Sequence, residues 1–175
     1  MTREKTDRPP MDPSVLRAMA RWPDVPAVYG WLALDRRGQW RLRVPDRGKF
    51  ERIGNRAVRE FIARNYQADE RGRWYFQNGP QRVFVQLAYT PLVFHYEGKA
   101  LLDHCGRPTR ADETYLDDEG SVLIAGERGI GLLDDRDLAE FDARHGARAQ
   151  DLPQLLKAEV QCRFGFDSDP SDSLR

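Results

Sequence analysis

An Asp-x-x-Gly element followed by a β-rich run recurs three times in this chain and constrains its fold more than any other feature. The three copies occupy residues 35–38, 69–72 and 117–120. Aspartate suits the first position of a type I turn because its carboxylate accepts backbone N–H groups, and glycine suits the last, where φ is often positive. The copies are 34 and 48 residues apart, which excludes a strict repeat array. The pattern predicts a hairpin unit that is used about three times.

The remaining patterns place this unit in an α+β fold, with a mainly antiparallel sheet and a few short helices. Alternating apolar and polar residues predict strands, whereas apolar residues three or four positions apart predict helices. Predicted helices cover residues 12–22, 55–66, 135–146 and 152–159, and predicted strands cover 27–34, 39–44, 73–76, 82–89, 92–96, 121–125, 130–133 and 159–166.

Chain length and the composition of the two ends predict the domain boundaries. A chain of 175 residues forms one large domain or two small ones. We predict a single α+β domain over residues 12–166, divisible into subunits 12–96 and 97–166. The ends, 1–11 and 167–175, contain prolines without apolar periodicity and are predicted to be disordered tails.

The composition points to the cytoplasm. No segment approaches the roughly 18 consecutive apolar residues of a membrane helix, and the N-terminus lacks the apolar stretch of a signal peptide. Cys105 and Cys162 are too few for a disulfide framework, so we expect free thiols in a reducing compartment. The sequence therefore predicts a cytoplasmic protein without a membrane partner.

A formal net charge of zero conceals two segments of opposite sign. Residues 35–64 contain ten Lys or Arg and four Asp or Glu, whereas residues 112–142 contain eleven acidic and two basic residues. These segments are either solvated faces that attract each other within one fold, or surfaces that recruit a charged partner or pair copies head to tail in a homo-oligomer. Both interpretations remain open at this level.

The stretch DERGRWYFQNGPQRVFVQL, residues 69–87, predicts two strands joined by a polar tip. We interpret this tip first as a structural corner whose amides and guanidinium hold neighbouring loops and which directs strand 82–89. The alternative is a recognition loop that donates hydrogen bonds to a carboxylate, a phosphate or a peptide. The predicted binding residues are Trp74, Gln77, Asn78, Gln81 and Arg82.

Pro80 determines the predicted shape of the tip. In a two-residue turn of Asn78 and Gly79, the Gln77 carbonyl would need the N–H of residue 80, which proline lacks. We therefore predict a wider loop, with Pro80 starting the next strand.

The reactive side chains form no recognisable catalytic or metal-binding motif, so no metal or cofactor is predicted and catalytic residues stay unassigned. The Asp-His-Cys run at residues 103–105 has poor chelating spacing. The GERGIG run at residues 126–131 lacks the Lys-Ser/Thr of a phosphate-binding loop and is assigned to a hairpin. An enzyme would need a site assembled from dispersed residues, for which Arg82, His95 and His104 are the candidates.

A basic segment, residues 36–64, interleaves arginines with Trp40 and Phe50, a composition that can bind nucleic acid. The whole chain is not basic, with a pI of about 6.8, and alternate arginines simply occupy the outward face of a strand. Nucleic-acid binding is therefore disfavoured; its candidate residues are Arg41, Arg43, Arg47 and Lys49.

A resemblance to known proteins is carried by the segments VYGWLALDRRGQWRLR, RIGN, FIARNYQADERGRWYFQNGPQRVFVQLAYTPLVF and YLDDEGSVLIAG. These segments resemble a family of uncharacterised proteobacterial proteins over residues 12–165, and DERGRWYFQNGPQRV is the most specific motif. VPDRGKFE, residues 44–51, is longer than the family pattern, which implies an exposed insertion. The chain is also distantly similar to a second uncharacterised bacterial family, built of repeated small α+β units and suggested to serve signal transduction. The resemblance implies an architecture and carries over no catalytic residue.

Repeated hairpin units, the lack of a catalytic motif and the opposite charges favour a cytoplasmic, non-enzymatic module. We expect such a module to bind or regulate through a protein or small ligand. The alternatives are the enzyme with a dispersed site and, less favoured, the nucleic-acid binder.

Overall fold

The computed structural model describes residues 11–171. Residues 1–10 and 172–175, which make up most of the two predicted tails, lie outside the described residues. Part of the predicted C-terminal tail lies along the first sheet, where the Leu87 N–H donates to the Ser168 carbonyl at 2.8 Å. The Gln86 side chain donates to Asp169 at 2.6 Å in the same place.

The N-terminal half forms a six-stranded mixed sheet. Its strands follow the order β3-β2-β1-β6-β5-β4, in which β1 and β6 are parallel and all other neighbours are antiparallel. The elements are α1 (Pro13–Arg21), β1 (Val28–Leu34), β2 (Trp40–Val44), β3 (Lys49–Arg52), α2 (Arg56–Arg64), β4 (Tyr66–Ala68), β5 (Trp74–Asn78) and β6 (Gln81–Leu87).

The C-terminal half forms a seven-stranded mixed sheet. Its order is β13-β10-β11-β12-β7-β8-β9, with parallel pairing of β7 with β12 and of β10 with β13. Two short 3-10 segments, Asp135–Asp137 and Gly146–Asp151, flank helix α3. The other elements are β7 (Leu92–Glu97), β8 (Ala100–Asp103), β9 (Pro108–Thr109), β10 (Ala111–Asp117), β11 (Val122–Gly126), β12 (Gly129–Leu133), α3 (Leu138–His145), β13 (Gln154–Leu155) and α4 (Lys157–Phe164).

The two sheets repeat one arrangement, and we call β1–β6 the first unit and β7–β12 the second unit. In each unit the first and sixth strands pair in parallel at the centre, and the remaining strands continue outward on either side. The predicted α+β class is confirmed, but the prediction of a mainly antiparallel sheet of about three hairpin units is wrong. A parallel pair joins strands that are distant in the chain, and local alternation of residues carries no signal for it.

Four Asp-x-x-Gly turns, one more than predicted, share one hydrogen-bond pattern. At the first turn, Asp35 Oδ1 accepts from the N–H groups of Arg37 and Gln39, each at 2.9 Å. The carboxylates of Asp69, Asp103 and Asp117 make the same pair of bonds to the second and fourth residues that follow them. The predicted turn chemistry is therefore correct, and the fourth copy begins at Asp103.

The polar tip is a tight hairpin, so the predicted wider loop is wrong. Asn78 pairs directly with Gln81, which leaves Gly79 and Pro80 as the two turn residues. The turn therefore lies one residue later than a turn centred on Asn78 and Gly79. The strand residues that close it, Asn78 and Gln81, both have a backbone N–H. Gly79 adopts a φ of 55°, which suits the first central position of a type II′ turn, and the negative φ of proline suits the second.

Helix α2, predicted over residues 55–66, is confirmed over Arg56–Arg64 and is anchored at its start and along one side. The Asn55 side chain caps it by accepting from the Val58 N–H at 3.1 Å. Ile62 is buried, and the Phe61 ring meets the Phe76 ring edge-on with 5.4 Å between centroids. These contacts fix α2 against the first sheet. The helix predicted over 12–22 is likewise confirmed as α1.

Residues 159–166, predicted as an edge strand, lie largely in helix α4. Val160 is buried and Phe164 packs on the core four residues later. A spacing of four fits both the two-residue period of a strand and the 3.6-residue period of a helix, so alternation did not distinguish them. Gly165 ends the helix in the left-handed conformation. The helix predicted at 152–159 is replaced by β13 and the start of α4.

One continuous apolar core joins the two units. It includes side chains of both sheets, such as Leu34, Val85, Phe94 and Leu123, in a single cluster. The buried Tyr66 hydroxyl donates to the Pro91 carbonyl at 2.9 Å, which ties the first unit to the segment that leads into the second. None of the helices within residues 11–171 combines the length and apolar character needed to cross a membrane.

Candidate functional site

Two adjoining cavities open between the first unit and the second, with volumes of about 600 and 500 Å³. This size lies in the usual range for small-molecule sites. We call the combined cavity the arginine groove and the boundary between its two parts the waist. The waist residues, which line both parts, are Gly38, Gln39, Arg52, Arg59 and His104.

The groove takes its walls from both units. The first Asp-x-x-Gly turn supplies Gln39, the end of β3 supplies Arg52, and α2 supplies Arg59. The second unit contributes His95 from β7 and His104 from the Asp103 turn. A ligand in the groove would therefore contact both halves of the chain.

The groove is basic because five arginines and three acidic side chains line it. Three of the arginines already have a carboxylate partner. Arg37 binds Asp135 at 2.9 Å, Arg56 binds Glu60 at 2.6 Å and Arg136 binds Asp134 at 2.9 Å.

Arg52 and Arg59 are the two groove arginines without an ion pair to any carboxylate within residues 11–171. The Arg59 Nε–H is buried and has no acceptor there, which leaves an unsatisfied donor in the wall. The nearby Glu60 carboxylate is committed to Arg56, whose hydrogen bond is the main cause that lowers the pKa of Glu60 below its ordinary value. Two uncompensated guanidinium groups thus face one cavity.

His104 forms part of the waist as a neutral ring. Its Nδ1 accepts from the Val93 N–H at 3.3 Å, so the ring proton lies on Nε2. The ring meets Trp40 and Tyr66 edge-on, with centroids 5.1 and 5.4 Å away. The residue keeps some exposure, but Nε2 is enclosed and has no partner within residues 11–171. Burial lowers the pKa of His104 to about 3.

Gly38 lies directly against His104. Its φ is +72°, and a Cβ built on it would lie 2.5 Å from the His104 Cβ. Only glycine therefore allows the first turn to approach the Asp103 turn this closely.

Cys105 also lines the groove, but its thiol is unreactive. Burial raises its pKa well above the ordinary thiol range, so the thiolate does not form near neutral pH. The neighbouring His104 is a weak base because its pKa is lowered. The two groups therefore lack the properties of a nucleophile and its general base.

Residues 11–171 contain no cluster of three or more His, Cys, Asp and Glu side chains that could hold a metal ion. The carboxylate of Asp103, one candidate from the 103–105 run, is engaged by backbone N–H groups of its own turn. Cys162 is exposed on α4.

Comparisons with known proteins identify the family. Residues 11–171 match the family model DUF2944, described as a protein of unknown function (DUF2946). The chain belongs to this family. No curated protein matches the sequence. The predicted resemblance to a family of uncharacterised proteins is therefore confirmed.

A solved structure of a second uncharacterised family shares the fold. The crystal structure of a DUF1285 family protein from Silicibacter pomeroyi DSS-3 has a TM-score of 0.50 and 16% identity, covering 79% of this chain and 78% of that one. A DUF1285 family protein from Shewanella baltica OS155 has a TM-score of 0.47 and 16% identity, covering 67% and 94%. At this identity the first comparison shows a common fold, and it confirms the predicted distant similarity to another uncharacterised family.

The predicted binding residues of the polar tip lie outside the arginine groove. Trp74 and Gln77 are buried, and the Gln77 amide donates to the Gly79 carbonyl at 2.9 Å. Gln81 donates to the Pro26 carbonyl at 3.2 Å, and the Arg82 guanidinium lies 4.7 Å from the centre of the Tyr75 ring. Asn78 is exposed at the tip. These contacts hold the tip against neighbouring segments, and its ligand-binding role stays a prediction.

The structure brings two of the three enzyme candidates together. His95 and His104 both line the part of the groove that faces the second unit. Arg82 lies apart from them, over the Tyr75 ring.

The candidate nucleic-acid residues lie on the β2–β3 hairpin rather than in the groove. Arg41 binds Asp35 at 2.9 Å, Arg47 binds Glu51 at 3.2 Å and Arg43 lies over the Phe50 ring. Lys49 is exposed on β3.

Sequence reasoning missed Arg52 and Arg59 as site residues, although both belong to the basic segment 36–64. Three arginines at positions 52, 56 and 59 surround the Asn55 cap of α2. That spacing at the start of a helix was the available signal for a local cluster.

Proposed function

We propose that the arginine groove binds an anionic small molecule and that the chain acts as a binding module rather than an enzyme. The observation that carries this proposal is the pair of uncompensated guanidinium groups of Arg52 and Arg59 on a concave site of about 600 Å³. Arginine matches carboxylate and phosphate groups through paired N–H donors.

Binding is favoured over catalysis by the state of the reactive groups in the wall. Near neutral pH the His104 imidazole is neutral and weakly basic, and the Cys105 thiol is protonated. A general base works best with a pKa near the working pH, and a thiol reacts as thiolate. Neither group meets its requirement.

A regulatory role follows from the position of the groove between the two units. A bound anion would contact Arg52 and Arg59 of the first unit and the His95 side of the second, so it would couple the two halves. We place this module in the cytoplasm, where the free thiols of Cys105 and Cys162 are expected to stay reduced. A role in signal transduction would require the ligand to report a metabolic state.

Calorimetric titration tests the proposal with citrate, phthalate, phenyl sulfate and phenyl phosphate as probes. We expect the wild-type chain to bind at least one probe with a Kd below about 1 mM, and Arg52→Gln and Arg59→Gln to weaken it at least tenfold, about 1.4 kcal/mol. Arg47→Gln is the matched control, because Arg47 is a basic residue of the same hairpin region but pairs with Glu51 outside the groove.

Two results would overturn the proposal. One is the absence of binding by all four probes. The other is binding that Arg52→Gln and Arg59→Gln leave unchanged, because the anion would then occupy another surface.

A further inference from the structure

The charges of the arginine groove are unevenly distributed between its waist and its two ends. Both uncompensated arginines, Arg52 and Arg59, belong to the waist and line both parts of the cavity. The paired arginines each line one part only: Arg56 on the α2 side, and Arg37 and Arg136 on the side of the second unit. The uncompensated positive charge is therefore concentrated at one place.

From this distribution we infer that the ligand carries a phosphate monoester, and that the phosphate is bound at the waist. This inference rests on the anion-binding function proposed above. Two guanidinium groups at one place match a single compact group with two charges. A phosphate monoester carries a charge of about −1.5 to −2 at pH 7 and has three strong acceptor oxygens. Two separate carboxylates would instead favour uncompensated cations at both ends of the groove.

A further donor at the waist fits the same group. The Gln39 side-chain amide lines both parts of the cavity and makes no hydrogen bond within residues 11–171. Its backbone N–H is already used by Asp35, which holds the turn in place. The waist thus combines two guanidinium groups with one neutral amide donor, and a tetrahedral phosphate can accept hydrogen bonds from all three.

The ends of the groove indicate that the rest of the ligand is uncharged. In the part that faces the second unit, Asp134 is paired with Arg136, and Asp137 accepts from the Tyr96 N–H at 2.8 Å. In the other part, Glu60 is paired with Arg56. A second anionic group would meet these carboxylates at either end, whereas hydroxyl groups can donate to them. The ligand class is therefore a small neutral organic molecule with one phosphate.

Three aromatic probes of similar size separate this ligand class from other anions. Phenyl phosphate is a dianion at pH 8, because its second pKa is about 6. Phenyl sulfate has the same tetrahedral shape with one charge, and phthalate has two charges on separate carboxylates. We expect calorimetry at pH 8 and constant ionic strength to show phenyl phosphate binding at least tenfold more tightly than either of the other two.

Single variants then locate the phosphate. Arg52→Gln and Arg59→Gln should each weaken phenyl phosphate at least tenfold, and Gln39→Leu should weaken it by a smaller factor. Arg47→Gln is again the matched control, because Arg47 is paired with Glu51 outside the groove; we expect less than a threefold change. The urea midpoint of each variant checks that it is folded before its affinity is compared.

The outcomes distinguish this inference from the function on which it rests. If phenyl sulfate or phthalate binds as tightly as phenyl phosphate and depends on Arg52 and Arg59, the phosphate assignment is overturned and anion binding in the groove stands. If Arg47→Gln reduces phenyl phosphate affinity as much as Arg52→Gln, the loss reflects overall charge and the waist is the wrong position. If citrate binds through Arg52 and Arg59 but none of the three aromatic probes does, the phosphate inference fails and anion binding stands. If citrate does not bind either, the inference and the proposed function both fail.

Discussion

The carboxylate of Asp103 is enclosed and lies 3.1 Å from the guanidinium of Arg128. Asp103 Oδ1 also accepts from the N–H groups of Cys105 and Arg107, each at 2.9 Å, and so holds the fourth Asp-x-x-Gly turn. Arg128 comes from the β11–β12 turn, and its guanidinium donates to the Thr109 hydroxyl at 3.0 Å. This ion pair joins two hairpins of the second unit beneath the groove residue His104.

We expect Arg128→Met to destabilise the fold strongly, because it leaves the Asp103 carboxylate buried without its cation. Loss of one partner from a buried pair costs about 3–5 kcal/mol in the free energy of unfolding. Urea denaturation at pH 7 measures the loss. Arg110→Met is the control, since its pair with Asp112 is exposed and should contribute little. Equal losses in the two variants would contradict the structural role of the buried pair.

The close approach of Gly38 and His104 predicts a second effect on stability. Gly38→Ala must accommodate both a φ of +72° and a Cβ 2.5 Å from the His104 Cβ. Gly48→Ala is the matched control, because Gly48 has a φ of +59° and its added Cβ meets no atom of the described residues within 4 Å. The control should lose about 1–2 kcal/mol through the backbone alone.

The difference between these two glycine variants isolates the steric contact at the groove. We expect Gly38→Ala to lose at least about 1 kcal/mol more than Gly48→Ala, the usual cost of overpacking. Urea denaturation of both variants under one set of conditions provides the comparison. Equal losses in the free energy of unfolding would mean that the His104 side chain moves aside for the added methyl group without cost.

The hairpin turn at the polar tip predicts that replacing its two residues costs different amounts of stability. Pro80→Ala should cost less than about 1 kcal/mol, because the missing N–H lies within the turn and only chain stiffness is lost. Gly79→Ala should cost more, because its φ of +55° disfavours a side chain although the nearest atom, the Ala18 Cβ, is 3.8 Å away. Thermal unfolding of the two variants compares these costs, and a larger loss for Pro80→Ala would contradict the observed register.

Local features of the fold were predictable from the sequence, and long-range ones were not. The turns at Asp35, Asp69 and Asp117 depend on residues within a five-residue window, and they form as predicted. The Asp103 turn was missed because it leads into the two-residue strand Pro108–Thr109 rather than a β-rich run. The parallel pairing of β1 with β6 depends on segments about 50 residues apart, beyond the reach of local patterns.

The same limit explains why the candidate site was not located from the sequence. The basic segment was visible, but the structure decides which of its arginines are neutralised. Arg37 finds its carboxylate at Asp135, 98 residues away, whereas Arg52 and Arg59 find none within residues 11–171. Arg52 and Arg59 stand out as site residues because folding brings no described carboxylate to neutralise them.

The enclosed Nε2 and neutral ring of His104 predict a specific dependence of stability on pH. Its pKa of about 3 in the fold lies below the value of about 6.5 expected when the chain is unfolded. Below pH 6.5 the unfolded chain therefore binds a proton that the folded chain excludes, and the contribution of His104 to stability falls as the pH is lowered toward 3. For this residue alone, the loss between pH 7 and pH 5.5 should be about 1 kcal/mol in the free energy of unfolding.

Nitrogen NMR of histidine-labelled protein checks the underlying protonation state directly. We expect the His104 ring to keep the pattern of the neutral Nε2–H tautomer from pH 8 to pH 5, because protonation at Nδ1 would break its bond to the Val93 N–H. An imidazolium signal from His104 near pH 6 would contradict this and would reopen the case for acid–base chemistry in the groove. A constant neutral signal, together with falling stability, would show that the fold itself resists protonation at the waist.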